Sequence, residues 1–383
     1  MDGCRISIVL PVLNMCDSVG RAIESVINQK YDNKELLVLD GGSTDGTVDV
    51  IAKYKDYIDY YISEKDGGSS AAIAHNLSRV TGDYVAVLGA DDWYEPGAFS
   101  ALNKSYQKEK ADVYYGNHNE IMSDGQVVMK SSEKIDLDTV YYQCPFNTNA
   151  AFVKPLLLKH YYSEYWIKHK YELDMASDHY LWLVLYRMGC KFSFIQSENA
   201  IVNFNMSGRS NSNMAKLCKQ NKNVMLYVLS PDDPDYDNRV RICDKYCTTR
   251  LCRNVLEMHN ETNKQKLQQL LRKYLDIKDR YVIFGAGHMG LDAYDVLCFA
   301  GIHAEYYIDN YTHTYLDNLN GISIYRPEKL KTETNLTVVI ASVGYEKEME
   351  KQFYDLKAHA SVKHVLYTDI CMQICSEIEE IDM

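Results

Sequence analysis

One cadence repeats through the first 115 residues and limits the architectures open to this chain: an apolar run, a polar or glycine-rich break, then a stretch with helical spacing. Ile6–Val12 breaks at Asn14, and residues 18–29 follow with Val19, Ala22, Ile23, Val26 and Ile27 at helical intervals. Residues 35–39 break at Asp40-Gly41-Gly42-Ser43-Thr44-Asp45-Gly46 before a helical 47–54. Residues 57–62 break at Ser63-Glu64-Lys65-Asp66-Gly67-Gly68 before an Ala-rich helical 69–80. Residues 84–88 break at Gly89-Ala90-Asp91-Asp92 before 96–109, and 112–115 reads as a fifth strand. Strands alternating with helices in this way predict an α/β fold with right-handed crossovers and a mostly parallel sheet covered by helices.

Ligands of such sheets sit beyond the carboxyl ends of the strands. Pro11 to Asn14, Asp40, Asp66 and Asp91-Asp92 all fall there, so four polar breaks converge on one edge. Adjacent carboxylates repel unless a cation, a proton or a basic group compensates, and Mg²⁺ is usually held by one or two carboxylates plus substrate phosphates. A helix cap or a plain turn is the competing reading of Asp91-Asp92. Coincidence of four breaks favours a site.

A length of 383 residues implies two domains and a connector, with boundaries expected at 1–214, 215–278 and 279–383. Hydrophobic content of 46% and charged content of 25% are globular values, and a net charge of -12 argues against a nucleic-acid binder. Eleven cysteines at irregular spacing suit reduced thiols and a cytoplasmic protein. Cys243, Cys247 and Cys252 with His259 lack paired C-x-x-C spacing and read as thiols, not metal ligands. The apolar residues 6–13, interrupted by Pro11, are expected to form a first strand and not a signal peptide, and no run reaches the ~18 apolar residues of a membrane span.

Beyond residue 116 the cadence changes. Ser123-Asp124-Gly125 predicts a hairpin, and residues 161–186 are dense in Tyr and Trp, as core or as sugar-stacking platforms. Asp178 leads an apolar helix stopped by Gly189, where an acid can serve simply as a favourable N-terminal charge. Three helical stretches occupy 215–275; the last sets Leu267, Leu270, Leu271 and Leu275 opposite Lys264, Lys266, Arg272 and Lys273. Docking against a domain is favoured for it over peripheral contact with an anionic membrane.

At residue 281 a second strand-helix series begins. Residues 281–284 lead into Gly285-Ala286-Gly287-His288-Met289-Gly290, and a later strand ends at Asp309. Gly285, Gly287 and Gly290 sit where a dinucleotide fold opens its amides to a phosphate, and Asp309 lies at the spacing of a ribose-binding acid. A Rossmann-like domain follows, whether it binds NAD, binds a nucleotide sugar or is structural only.

The first ~210 residues resemble family 2 glycosyltransferases of the GT-A type, notably bacterial enzymes of O-antigen, capsule and exopolysaccharide synthesis. The residues carrying the resemblance are the opening strand Ile8-Val9-Leu10-Pro11-Val12-Leu13-Asn14, the run from Asp40 to Thr47, the run from Ser63 to Gly68, Gly89-Ala90-Asp91-Asp92, and Ala176-Ser177-Asp178-His179-Tyr180. The resemblance implies that Pro11, Val12, Asn14, Asp40 and Asp66 line a nucleotide pocket, with Asp40 toward the base and Asp91 toward the ribose or metal. It implies that Asp92 binds Mg²⁺ or Mn²⁺ and that Asp178 is the catalytic base. The implied reaction is inverting transfer from a nucleotide sugar, UDP-linked by preference, to a glycan or lipid-linked glycan of a bacterial surface polysaccharide, at the inner face of the cell membrane. Ala71, Ala74 and Gly89 depart from the family pattern. The C-terminal part resembles Rossmann-like modules of sugar-modifying enzymes; NAD-linked sugar chemistry there, or a non-catalytic scaffold, are the alternative readings.

Overall fold

The computed structural model describes residues 3–122, 124–133, 137–206, 214–256, 261–310, 318–319, 321–357 and 359–378. His259 and the hairpin residue Ser123 lie outside them. The chain divides into two compact units, Met1–Ser230 and Pro231–Met383. Helices of the stretch 215–278 fall in both units.

In the first unit, β1 (Ile6–Val12), α1 (Val19–Ile27), β2 (Lys34–Asp40), α2 (Thr47–Ala52), β3 (Tyr60–Ser63), α3 (Ser69–Asn76) and β4 (Tyr84–Val87) follow the expected order. They are succeeded by β5 (Trp93–Tyr94), α4 (Ala98–Lys108), β6 (Val113–Tyr115) and the strands β7 (His118–Ile121) and β8 (Val127–Lys130). β9 (Ala151–Val153), α5 (Pro155–Tyr161), a π-helical turn (Tyr162–Trp166), α6 (Ile167–His169), α7 (Ser177–Arg187), β10 (Phe192–Phe194), β11 (Val202–Asn205) and α8 (Met214–Val228) complete it.

Seven strands form the main sheet in the order β10-β6-β9-β4-β1-β2-β3. β1 is parallel to both β2 and β4, and β2 to β3, as the crossovers require. The expected series is broken by β9, which enters between β4 and β6 antiparallel to both. β9 is only three residues of Ala-Phe-Val, too short for its periodicity to be legible. A smaller sheet, β5-β11-β7-β8, stands beside it, and β7 and β8 form the antiparallel pair expected around Gly125. The core gathers Ile6, Ile8 and Leu10 of β1, Leu36 and Val38 of β2, the apolar stripe Val19, Ala22, Ile23 and Val26 of α1, and Phe99 and Phe152. Alternate residues of buried strands face opposite helical layers, which is why these strands are apolar throughout.

A buried carboxylate fastens the amino end of this sheet. Glu35 accepts from Ser7 Oγ at 2.5 Å, Thr81 N at 2.7 Å, Thr81 Oγ1 at 2.6 Å and Arg5 Nη2 at 3.2 Å. Burial raises its pKa, but these donors outweigh burial and hold it below the usual value. The stabilisation is therefore present above the unfolded-state pKa and is lost as pH falls through the lower folded value. Glu35→Gln is expected to cost roughly 1–3 kcal/mol near neutral pH, because its amide would face donors. Urea midpoints of variant and native chain should converge in acid; a constant gap at all pH would contradict this account.

The second unit holds α9 (Tyr236–Leu256), α10 (Glu261–Tyr274), β12 (Arg280–Phe284), α11 (His288–Ala300), β13 (Ala304–Ile308), β14 (Asn318–Leu319) and β15 (Ile322–Tyr325). β16 (Leu336–Ile340), α12 (Glu346–Leu356), β17 (Val362–Leu366) and α13 (Tyr367–Ile378) follow. Its sheet runs β14-β15-β13-β12-β16-β17, parallel except at β14. Leu271 and Leu275 are buried in this unit's core, in line with docking of α10 through its leucines. Among the described residues no helix is long and apolar enough to cross a membrane.

Candidate active site

Strand register places the polar breaks in one row. Val12 is level with Asp40, and Asp40 with Ser63, on neighbouring strands. Leu88 N donates to Val9 O at 3.0 Å, so the Gly89–Asp92 turn leaves the sheet alongside the end of β1.

The break after β1 and the break after β2 are stitched into one surface. Asn14 adopts a left-handed φ of 53°, a conformation Asn tolerates better than most residues. Its Oδ1 accepts from Thr44 N at 2.9 Å, and its own N–H donates to Ser43 Oγ at 2.8 Å. Met15 N donates to Thr47 Oγ1 at 2.8 Å and Cys16 N to Asp45 Oδ2 at 3.1 Å. Hydrogen bonds from Thr47 and Cys16 hold Asp45 well below the usual carboxylate range. Pro11 is half-buried in β1, while Val12 belongs to the core and contributes its carbonyl, which accepts from Gly41 N at 2.9 Å.

Asp40 is engaged by its own loop. Only 1% exposed, its carboxylate accepts from Gly42 N, Ser43 N, Ser43 Oγ and Ser63 Oγ. It shapes the loop. Asp66 is half-buried and accepts from Gly68 N at 2.7 Å. A methyl group on Gly41 would lie 3.3 Å from its Oδ2, so Asp66 overhangs the loop that Asp40 builds.

The two adjacent acids are in different environments. Asp92 is 3% exposed, and its Oδ1 accepts from Asn205 N at 2.8 Å while its Oδ2 accepts from Asn149 Nδ2 at 2.8 Å. Burial pushes its carboxyl up to about 7, with Asp91 adding to the shift and these donors and Arg21 opposing it. Asp91 is half-buried, and among the described residues its carboxylate accepts no hydrogen bond. Asp92, expected to carry the metal, is held by two protein donors here, whereas Asp91 keeps its carboxylate free of hydrogen bonds among the described residues. Gly89 has a steric reason too. A Cβ there would lie 2.5 Å from Asp92 Oδ2 and 3.2 Å from Asp91 Oδ1, so a side chain at this position would force the Asp92 carboxylate to shift.

Arg21 supplies the positive charge beside this turn. Its Nη2 donates to Asp91 O at 3.0 Å and its guanidinium lies 3.5 Å from the centre of the Trp93 ring. Burial lowers its pKa, and Asp92 and Asp91 oppose that shift.

Asp178 reaches the same neighbourhood through one short turn, residues Thr148–Ala150. Asn149 accepts from Gly89 N at 2.9 Å and donates to Asp92, while the preceding Thr148 donates from Oγ1 to Asp178 Oδ2 at 3.1 Å. Trp182 Nε1 donates to that Thr148 oxygen at 3.0 Å, fixing the direction of the Thr148 hydroxyl. Asp178 Oδ1 accepts from His179 N at 2.8 Å. At the start of α7, Ser177 Oγ lies 3.0 Å from Ser70 Oγ of α3, so α3 and α7 meet through their first turns. The π-helical turn adds one residue per turn and lets the consecutive Tyr161 and Tyr162 both face inward. Tyr161 Oη donates to Ser177 O at 2.6 Å, and Tyr162 lies beside Ser70. Sequence reasoning missed Arg21, Ser70, Thr148, Asn149 and Tyr162; only the polar run Asn147-Thr148-Asn149 carried a local signal.

In the second unit, Gly285 ends β12 with φ 110°, and a Cβ there would meet Ala341 O at 2.7 Å. A Cβ on Gly290 would be 2.0 Å from Gly285 O, so α11 approaches the loop as closely as glycine permits. Gly287 is exposed with open space around it. Asp309 Oδ2 accepts from Ala286 N at 2.7 Å, which ties the acid to the loop itself.

Comparison with known proteins agrees with this geometry. The family described as "Glycosyl transferase family 2" matches residues 7–171. These residues are similar to family 2 glycosyltransferases over 165 of the 383 residues. Relatives of the domain include glycosyltransferase GlyA of Streptococcus pneumoniae, 31% identical over 30% of this chain and 17% of its own. They also include the putative glycosyltransferase EpsE of Bacillus subtilis, 29% identical over 33% and 44%, and the chondroitin synthase of Pasteurella multocida, 33% identical over 32% and 13%. The chain therefore spans less than half the length of each. In fold, the crystal structure of S. aureus TarS 1-349 matches 70% of this chain and 79% of its own at a TM-score of 0.50 and 17% identity. A complex of the same protein with UDP-GlcNAc matches equally, over 80% of its own chain. The likeness is one of fold, a mostly parallel α/β architecture.

Among the described residues no group of three or more His, Cys, Asp or Glu is arranged to hold a metal ion. The carboxylate of Asp91, which accepts no hydrogen bond among the described residues, fits a divalent ion whose remaining ligands are donor phosphates and water, as is usual for Mg²⁺.

Proposed function

We propose that the chain transfers a sugar, with inversion, from a nucleotide-sugar donor to an acceptor hydroxyl. The observation that carries this reading is the turn at Thr148-Asn149, whose neighbouring side chains hold Asp178 on one side and the Asp91-Asp92 turn on the other. An inverting displacement needs a base opposite the leaving group, and this arrangement supplies an acid on each side. Asp178 takes the proton of the attacking hydroxyl. Thr148 and the amide of His179 direct its carboxylate. Asp66, Asn14 and the backbone of Pro11 and Val12 line the donor side; Asp40 holds their loop in shape. Asp91, with the donor phosphates, would hold Mg²⁺ or Mn²⁺, which supplies charge neutralisation to the departing diphosphate.

UDP-linked sugars are the favoured donors, since the structural neighbour TarS is described with UDP-GlcNAc. A bacterial surface polysaccharide, assembled on the cytoplasmic side of the membrane with a glycan or lipid-linked glycan as acceptor, is the favoured product class; chondroitin synthase among the relatives supports a polysaccharide. Selective thermal stabilisation of the full chain by one nucleotide sugar, stronger with Mn²⁺, is the expected result. At a hundred times Kd the stabilisation is about 2.7 kcal/mol. No shift with any UDP-, GDP- or dTDP-sugar would remove the donor assignment.

The second unit is proposed to be a Rossmann-like module, with Gly285, Gly287, Gly290 and Asp309 as its nucleotide-facing residues. The bond from the Ala286 amide to Asp309 favours a structural or nucleotide-sugar-binding role over NAD redox chemistry, because the ribose-binding acid is already engaged. Titration calorimetry with NAD should show no heat of binding; a measurable affinity would restore the redox reading.

A further inference from the structure

The helix running from α5 through the π-helical turn into α6 has an outer face that the proposed chemistry does not use. Leu156 is 76% exposed, Ile167 46% and Tyr171 90%, the last just past the helix end. His160, Ser163 and Glu164 between them are exposed too, so the segment from Leu156 to Tyr171 presents an exposed side over roughly 20 Å. Large side chains so exposed within one short segment are unusual for a soluble surface.

The stripe is flanked by cations. Residues 154–171 contain four lysines and one glutamate, in a chain whose net charge is -12. Lys154 is taken up by Asp112 at 2.8 Å, but among the described residues Lys159, Lys168 and Lys170 form no ion pair. Instead Lys170 Nζ lies 4.9 Å from the Tyr171 ring centre and 6.0 Å from that of Trp166, and Lys168 Nζ lies 5.7 Å from that of Tyr165. Lysine ammonium groups near aromatic rings and outside any ion pair among the described residues suit a boundary between apolar and aqueous phases.

We propose that this outer face docks on an anionic phospholipid surface, with Leu156, Ile167 and Tyr171 entering the headgroup boundary and Lys159, Lys168 and Lys170 meeting lipid phosphates. The inner face of the same helix places Tyr161 on Ser177 and Tyr162 on Ser70, beside Asp178. Docking here therefore brings the base side of the cleft to the membrane, which, on the transferase reading, is where a lipid-linked acceptor would enter. Membrane binding itself does not depend on that reading.

Sedimentation of the full chain with vesicles tests the proposal. Vesicles of equal parts phosphatidylglycerol and phosphatidylcholine should bind the chain, at least tenfold more strongly than phosphatidylcholine alone, and added salt should weaken binding. Charge reversal (Lys159→Glu, Lys168→Glu, Lys170→Glu) should lower partitioning about tenfold or more. The apolar variant (Leu156→Ser, Ile167→Ser, Tyr171→Ser) should lower it while leaving the salt dependence. Unchanged circular dichroism and nucleotide-sugar thermal shift would show that the fold and donor side are intact in both. The proposal is overturned if the native chain does not bind vesicles, if neither variant weakens binding, or if only Lys264→Glu, Lys266→Glu and Lys273→Glu do so. It is equally overturned if the native chain ignores vesicles and the same variants abolish binding to a soluble glycan.

Discussion

Replacing Asp178 by Asn is expected to lower turnover by about 10²- to 10⁴-fold while donor affinity stays within about twofold. Asn keeps the shape and can still accept from Thr148 Oγ1 or His179 N, the two donors that orient the native carboxylate. It cannot take a proton from an attacking hydroxyl. Because Asp178 belongs to the acceptor side, the loss should fall on kcat, with donor KM nearly unchanged. Steady-state kinetics with a responsive nucleotide sugar decides it, and near-native turnover would move the base to another group. Thr148→Val should act in the same direction and more weakly, since it frees the carboxylate to rotate without removing it.

The adjacent acids should separate cleanly. Asp91→Asn is expected to abolish the effect of Mn²⁺ on donor binding while changing thermal stability little, because its half-buried carboxylate accepts no hydrogen bond among the described residues. Asp92→Ala is expected to lower stability by about 2–4 kcal/mol, or roughly 4–16 °C in melting temperature, since it orphans the amide of Asn205 and the side-chain donor of Asn149 in a buried setting. Calorimetric melting and donor titration, run on both variants with and without Mn²⁺, measure the two effects separately. If Asp91→Asn kept the Mn²⁺ effect and Asp92→Asn lost it at unchanged stability, the roles assigned to the pair would be reversed.

Much of the framework was legible in the residues. β1, β2, β4 and their helices form where apolar runs and helical spacing place them, because a parallel sheet covered on both faces demands continuous apolar strands. The stitched loop at 40–47 is likewise local: Asp40, Ser43, Asp45 and Thr47 bond within a few residues of themselves or across to Asn14. β9 was not legible, since three apolar residues are compatible with any element. Nor was the opposite fate of Asp91 and Asp92. Their identical side chains differ only in what faces them, and those partners, Asn149 and Asn205, stand 57 and 113 positions away from Asp92.

By itself the sequence determined which segments become strands and helices and that their polar ends share one edge, because periodicity and turn chemistry act over neighbouring residues. Only the tertiary structure decided which acid turns inward, which glycine is sterically required, and how one polar turn links Asp178 to the Gly89–Asp92 loop. Those outcomes rest on burial and on hydrogen bonds between distant residues, and a carboxylate buried against two donors behaves unlike the same carboxylate facing water.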